Sequence, residues 1–427
     1  MSQPLWSPGD ARKAATNMAK FIECAGATLG RHLTDYRALH AASVADPAWF
    51  WNALWDYSGI IGDKGAAPYL LDGDKMPGAR FFPEARLNFA ENVLKRLPEG
   101  EALVFRGEDK VKRRMSSTEL RAQVAQVQAM LRDAGVTAGD RVAAILPNMP
   151  EAIVSVLGAA AEGAVWSSCS PDFGVQGVLD RFGQIEPKVL IACDGYYYAG
   201  KTIELSERLA QITAQLPSVQ KVIVVPYVGL ADAVVQKLNL SLAHRNRFAG
   251  TWGDAVLARD AGVPTFARLP FAHPLYILFS SGTTGVPKCI VHSAGGTLLK
   301  HITEQALHSD IKPGDRVFYF TTLGWMMWNW LVTCLGSGAT LLLYDGSPFH
   351  PSGRILWDYA AEEGCTLFGT SAKYIDALKK SGLEPRTSHD LTTLRAVLST
   401  GSPLAPESFD YVYQHIKPDV HLASISG

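Results

Sequence analysis

The chain shows no excess of either charge: 40 Lys and Arg stand against 41 Asp and Glu, a net charge of -1. A surface that coats DNA or RNA needs a clear basic excess to meet the phosphate backbone, so no nucleic-acid partner is expected. Cysteine is scarce and scattered. Cys24, Cys169, Cys193, Cys289, Cys334 and Cys365 form no CxxC pair, which argues against a disulfide framework and a cysteine-based zinc site. No run of about 18 apolar residues occurs; the longest candidates are broken by Pro147, Pro150 and Glu162, or by Gly336 and Gly338. Integral membrane association is therefore not expected. Met1 is followed by Ser2, Pro4, Trp6 and Asp10 rather than a basic and then an apolar run. No secretory leader is read, and a reducing, cytoplasmic compartment is the expectation.

What the chain does contain is enough to fold. Hydrophobic residues make up 47% of its 427 positions and charged residues 19%, too apolar and too balanced for a disordered chain. Two or three packed units are expected at this length. Residues 1–100, within an N-terminal unit read over 1–115, are loop-rich and aromatic, with Trp49, Phe50, Trp51 and Trp55 at helical spacing; the reading is a helix packed on a core. Ser116-Ser117-Thr118-Glu119 is a capping box, followed by Leu120, Val124, Val127 and Leu131 on one helical face. Strands are then read at 141–146, 164–167, 188–193 and 221–225, and helices from Pro150, over 175–185 and over 202–216. After a less periodic stretch at 227–272, strands are read at 275–279, 316–321, 340–344, 366–368, 394–398 and 421–425. Such alternation specifies an α/β fold of βαβ units with parallel sheets covered on both faces. The expected division is 116–272 for one sheet subdomain and 273–427 for a second, packed in series as an αβαβα-like pair.

The most informative local segment is Ser280-Ser281-Gly282-Thr283-Thr284-Gly285-Val286-Pro287-Lys288 after a buried strand. Glycines let the backbone turn its N–H groups toward an anion, four hydroxyls add donors, and Lys288 adds a cation. The alternatives are a polyphosphate-binding loop and a solvated Gly/Ser/Thr turn. It is not a Walker A loop, because Val286-Pro287 separates the last glycine from the lysine. Ligands of open α/β sheets bind at the carboxyl ends of strands. Val420–Gly427 reads as a buried strand running into a loop, so the chain is expected to break off inside such a site.

The string Ser280–Lys288 resembles the signature loop of the adenylate-forming superfamily of acyl-CoA synthetases, adenylation domains and luciferases. The segments 49–60 (WFWNALWDYSGI) and 86–92 (RLNFAEN) are similar to the N-terminal extension of acetyl-CoA-synthetase-like enzymes. Gly324–Trp330, Asp345–Pro348 and Ser424–Gly427 look most like the acetoacetyl-CoA synthetase branch. The resemblance implies ATP-dependent adenylation of acetoacetate and then thioester formation with coenzyme A, with Mg²⁺ as cofactor. It leaves acetate, propionate or butyrate as sibling substrates, and a non-catalytic nucleotide- or acyl-binding module as the alternative.

By the same resemblance Ser280, Ser281, Gly282, Thr283, Thr284, Gly285 and Lys288 would hold the ATP phosphates. Gly401, Ser402 and Pro403 would lie beside the adenine, with serine replacing the usual acidic residue. Trp325, Met326, Met327 and Thr400 would line the acyl pocket, and Lys201 and Ser337 would contact coenzyme A. Tyr198 stands where relatives carry a second arginine. His292 is read as structural or loop-orienting rather than a base, and Cys289 is not read as a nucleophile. No residue is assigned to the metal. Most of the family's β-barrel, its C-terminal lid and the adenylation lysine are expected beyond Gly427, so a fragment with little or no complete activity is expected.

Overall fold

The computed structural model describes residues 4–97, 99–242, 247–280 and 285–426. Its framework is two seven-stranded sheets. In spatial order, the first runs Phe248–Thr251, Lys221–Val225, Val189–Cys193, Arg141–Ile145, Val165–Cys169, Pro274–Phe279 and Cys289–Ser293. The second runs His421–Ser424, Ala396–Thr400, Leu367–Ser371, Arg316–Tyr319, Thr340–Asp345, Glu101–Gly107 and Val111–Ser116. In each, every neighbouring pair is parallel except the last, which is antiparallel. The parallel strands are continuous apolar runs such as KVIVV and VLIAC, as burial on both faces demands.

Sheet membership crosses the expected boundaries. Glu101–Gly107 and Val111–Ser116, ahead of residue 116, form the edge of the second sheet. Pro274–Phe279 and Cys289–Ser293, after residue 272, complete the first. Each subdomain therefore takes its antiparallel edge from chain that the linear reading gave to another unit. The reason is geometric: a hairpin can add to any open edge within reach, and hydrophobic periodicity carries no information about which edge that is.

A second correction concerns residues 202–216, read as one helix. Gly195–Tyr198 and Lys201–Glu204 pair as an antiparallel hairpin, and the helix starts only at Ser206. Its two-residue turn, Ala199 and Gly200, has φ of 51° and 77°, the doubly left-handed conformation that matches strand twist. Alanine is an unusual occupant of the first position, which hid the turn.

Other local readings hold. Ser116 accepts from the Glu119 N–H while the Glu119 side chain accepts from Ser116. In the helix Pro47–Tyr57, Trp55 is 4% exposed and packs on Phe82 with ring centroids 4.9 Å apart. Trp49, Phe50 and Trp51 lie half-buried against the same core. Among the described residues, no helix is long and apolar enough to cross a membrane.

Candidate active site

The carboxyl ends of both sheets' parallel strands open onto one cleft. Just past the ends of Arg141–Ile145 and Val165–Cys169 come Asn148, Ser170 and Asp172. Opposite them, from the second sheet, come Phe320, Thr322 and Asp345, and together these six help to enclose a cavity of about 460 Å³. Direct bonds tie the walls. The Ser168 hydroxyl donates to the Leu323 carbonyl at 2.9 Å, and Trp328 Nε1 donates to Asn148 Oδ1 at 3.0 Å. Trp328 also stacks on Trp166 with centroids 6.4 Å apart.

The loop at 280–288 leaves the first sheet at this same end, because its strand is parallel to Val165–Cys169. Its base is closed twice: the Ser280 N–H donates to the Lys288 carbonyl, and the Lys288 N–H donates to Ser280 Oγ, each at 3.0 Å. Gly285 sits at φ 90°, and Lys288 is exposed. Ser281, Gly282, Thr283 and Thr284 lie outside the described residues. Gln184 Nε2 donates to the Pro287 carbonyl at 2.8 Å, bracing the loop's returning arm. That brace was missed in the sequence, where Gln184 is an ordinary polar position on an amphipathic helix. Cys289 is exposed, its Sγ lies 3.7 Å from Gln184 Oε1, and partial desolvation raises its thiol pKa. His292 packs on Tyr276, and burial, then Lys300, hold its pKa below the ordinary value.

On the opposite wall, Trp325 caps the helix Met326–Thr333 and is 60% exposed. Met326 and Met327 are half-buried behind it. Thr400 ends its strand, and Thr400 Oγ1 lies 3.0 Å from the Tyr319 hydroxyl. Tyr319 also packs edge-on against Trp330 of the same helix, with centroids 6.1 Å apart. Tyr319, which the sequence reading passed over, thus connects the Trp325 helix to Thr400. The chain then turns through Gly401 at φ 87° into exposed Ser402 and Pro403.

Lys201 is exposed and pairs across the hairpin with Tyr198, which lines the cavity. Ser337 is placed elsewhere. It precedes the strand Thr340–Asp345 at its amino end, about 20 Å along that strand from the cavity wall at about 3.3 Å per residue, and its hydroxyl donates to Gln305 at 3.3 Å. The structure therefore gathers Ser280, Lys288, Trp325, Thr400, Gly401 and Lys201 at one end of the sheets and leaves Ser337 at the other.

Residues 89–423 match the family model described as AMP-binding enzyme. The chain belongs to the AMP-binding enzyme family. Residues 36–93 match a second model, acetyl-coenzyme A synthetase N-terminus, which covers the aromatic helix and the segment 86–92. The chain is 54% identical over 425 residues to an acetoacetyl-coenzyme A synthetase of Rhizobium meliloti (strain 1021), covering 100% of this chain and 64% of that protein. It is 42% identical over 431 residues to an acetoacetyl-CoA synthetase of Xenopus tropicalis, covering 99% of this chain and 63% of that protein. The acetoacetyl-CoA synthetase from Streptomyces lividans superposes with a TM-score of 0.90 at 40% identity, over 100% of this chain and 65% of that one. This member of the family thus spans a little under two thirds of the length of the relatives it matches.

Proposed function

We propose that this chain supplies the nucleotide, acyl and coenzyme A contacts of an ATP-dependent acid:CoA ligase whose acid is acetoacetate. The observation that carries the reading is the cleft itself: an exposed lysine loop ends one sheet, and a tryptophan–threonine wall braced by Tyr319 ends the other. The 54% identity to an acetoacetyl-coenzyme A synthetase supports the choice of acid.

The chemistry follows from charge and placement. The acid's carboxylate attacks the α-phosphorus of ATP and pyrophosphate leaves, forming an acyl-adenylate; the thiol of coenzyme A then displaces AMP. Two anions must be held together, so donors have to be in place before they meet. The 280–288 loop, with Lys288 on its closed base, takes the β- and γ-phosphates. Gly401, Ser402 and Pro403 flank the adenine. Trp325, Met326, Met327 and Thr400 shape the acyl pocket, the methionines adapting an unbranched surface to a 3-oxo chain. Lys201 meets a phosphate of coenzyme A as a point charge.

For Mg²⁺ the described residues offer no fitting site. Among the described residues, Glu108, Asp109 and His350 form the one group of potential metal ligands. Both Glu108 oxygens there already accept backbone N–H bonds, so no step is assigned to a metal held by this cluster.

Two results test the proposal. Non-hydrolysable acyl-adenylate analogues should raise the thermal midpoint in the order acetoacetyl, then butyryl, then acetyl, because ligand bound to the folded state stabilises it. Equal shifts with all three would remove acetoacetate as the favoured acid. Lys288→Ala should weaken ATP binding about tenfold or more, the loss of one charge-assisted contact, while leaving an acyl-adenylate analogue within about twofold because that ligand has no β- or γ-phosphate. Calorimetry showing equal loss for both ligands would take Lys288 off the pyrophosphate end.

A further inference from the structure

Glu108 is 0% exposed, although its chain neighbour Asp109 is exposed. It follows the strand Glu101–Gly107, and its backbone N–H donates to the Asp345 carbonyl at 2.9 Å. Its side chain binds three backbone donors from two other segments. Oε1 accepts from the Ala199 N–H at 2.7 Å and from the Ser347 N–H at 2.8 Å; Oε2 accepts from the Gly200 N–H at 2.9 Å. Ala199 and Gly200 are the two central residues of the hairpin turn between Tyr198 and Lys201. In an isolated hairpin those N–H groups would face water; here both are turned onto one buried carboxyl group.

The surroundings leave no slack. A Cβ on Gly346 would lie 2.1 Å from Glu108 Cγ, and one on Gly200 would lie 2.7 Å from the His350 ring. A Cβ on Gly107 would lie 2.2 Å from the Tyr227 hydroxyl, which itself donates to Asp345 Oδ2 at 3.0 Å. The hairpin springs from the first sheet and Glu108 from the second. One side chain thereby fixes the turn against the wall of the 460 Å³ cavity that Tyr198 and Asp345 help to line.

We propose that Glu108 is a positioning residue for coenzyme A: it holds the Tyr198–Lys201 turn across the sheet junction, so the Lys201 cation is in place before the ligand arrives. The inference rests on the reading of Lys201 given above. A preformed turn spares the ligand the cost of ordering it. Only an acceptor at both oxygens serves three N–H groups; an amide would set its own N–H₂ against at least one of them, and a buried donor without a partner is costly.

The test uses the whole chain, with coenzyme A and ATP titrated separately by calorimetry and hydrogen exchange followed on the peptide containing Ala199 and Gly200. Glu108→Gln should weaken coenzyme A about tenfold or more, leave ATP within about twofold, and speed exchange at Ala199 and Gly200. Gly200→Ala disturbs the same turn without touching the carboxyl group, because φ of 77° disfavours a side chain. It should reproduce the split if Glu108→Gln fails to fold. Equal weakening of both ligands, or unchanged coenzyme A affinity with faster exchange at the turn, overturns the positioning role. Lys201→Ala separates the two ideas. If wild type binds coenzyme A, Lys201→Ala weakens it and Glu108→Gln does not, the positioning role alone fails. If wild type binds no coenzyme A, or Lys201→Ala changes nothing, the reading of Lys201 fails with it.

Discussion

Asp345→Asn is expected to stabilise the chain by about 2 to 4 kcal/mol at pH 8 and to change little at pH 4, at about 1.4 kcal/mol per pH unit of displacement. Asp345 stands at the cavity wall. Desolvation is the main cause that pushes its pKa from 3.8 to about 7, with Glu108 and Asp172 adding like charge; the Tyr227 hydroxyl and the Gly346 N–H oppose this. The sign follows from proton binding. Between about pH 4 and 7 the folded chain holds this proton and the unfolded chain has released it. The stabilisation is therefore complete below the unfolded value and is lost as pH rises through the folded one. Asparagine keeps an acceptor for the Tyr227 hydroxyl and never ionises, so the gap between variant and wild type should widen across that window and level off above it. Asp345 is only half-buried where it lines the cavity, so solvent screens part of the charge, hence the lower end of the range. Urea unfolding at pH 4.5, 6 and 8 measures the gap; a difference that does not vary with pH would show that Asp345 titrates normally.

Gly369→Ala should be the most damaging one-carbon addition on the Trp325–Thr400 side of the cleft, the side proposed to hold the acyl group. A Cβ there would fall 2.1 Å from Cδ2 and 2.3 Å from Cε2 of Tyr319. The ring cannot slide freely: its hydroxyl is bonded to Thr400, and it packs edge-on against Trp330. Overpacking of this kind costs about 1 to 3 kcal/mol, and the displaced ring should carry Thr400 with it, so acyl-adenylate analogues should lose more affinity than ATP does. A cycle with Tyr319→Ala isolates the clash. With the ring already gone, adding Gly369→Ala should cost little further. Simple additivity of the two changes would mean that the strain lies elsewhere, as would an unchanged ligand preference in the single variant.

Both effects involve residues that the linear pattern describes only as strand. Gly369 reads as a small residue in LFGTS, and nothing in its neighbours announces that Tyr319, on the adjacent strand, occupies the space where its side chain would be. Asp345 is visible within the acidic-glycine turn 345–348, but its protonation is set first by burial at the cleft and then by Tyr227, Glu108 and Asp172, which come from three other parts of the chain. Glu108 and Gln184 are ordinary polar letters until the fold turns them toward the 199–200 turn and the 280–288 loop. Ser337 shows the opposite case. Matched by position along the chain, it was expected near coenzyme A, and strand direction puts it at the far end of the sheet.

What the sequence determined alone is local and compositional. Periodicity and capping residues placed most strands and helices of the two sheets, because burial on both faces forces continuous apolar strands and one apolar stripe per helix. The Ser280–Lys288 string and the aromatic N-terminal helix placed the chain in its family. Tertiary structure decided the rest: which edge each antiparallel strand joins, which walls meet across the cleft, and which buried acids are held by backbone N–H groups. Those outcomes depend on contacts between residues 80 to 240 positions apart, such as Tyr319 with Thr400 and Glu108 with Ser347. A one-dimensional pattern records each residue's own burial tendency and not the identity of the partner that folding brings to it.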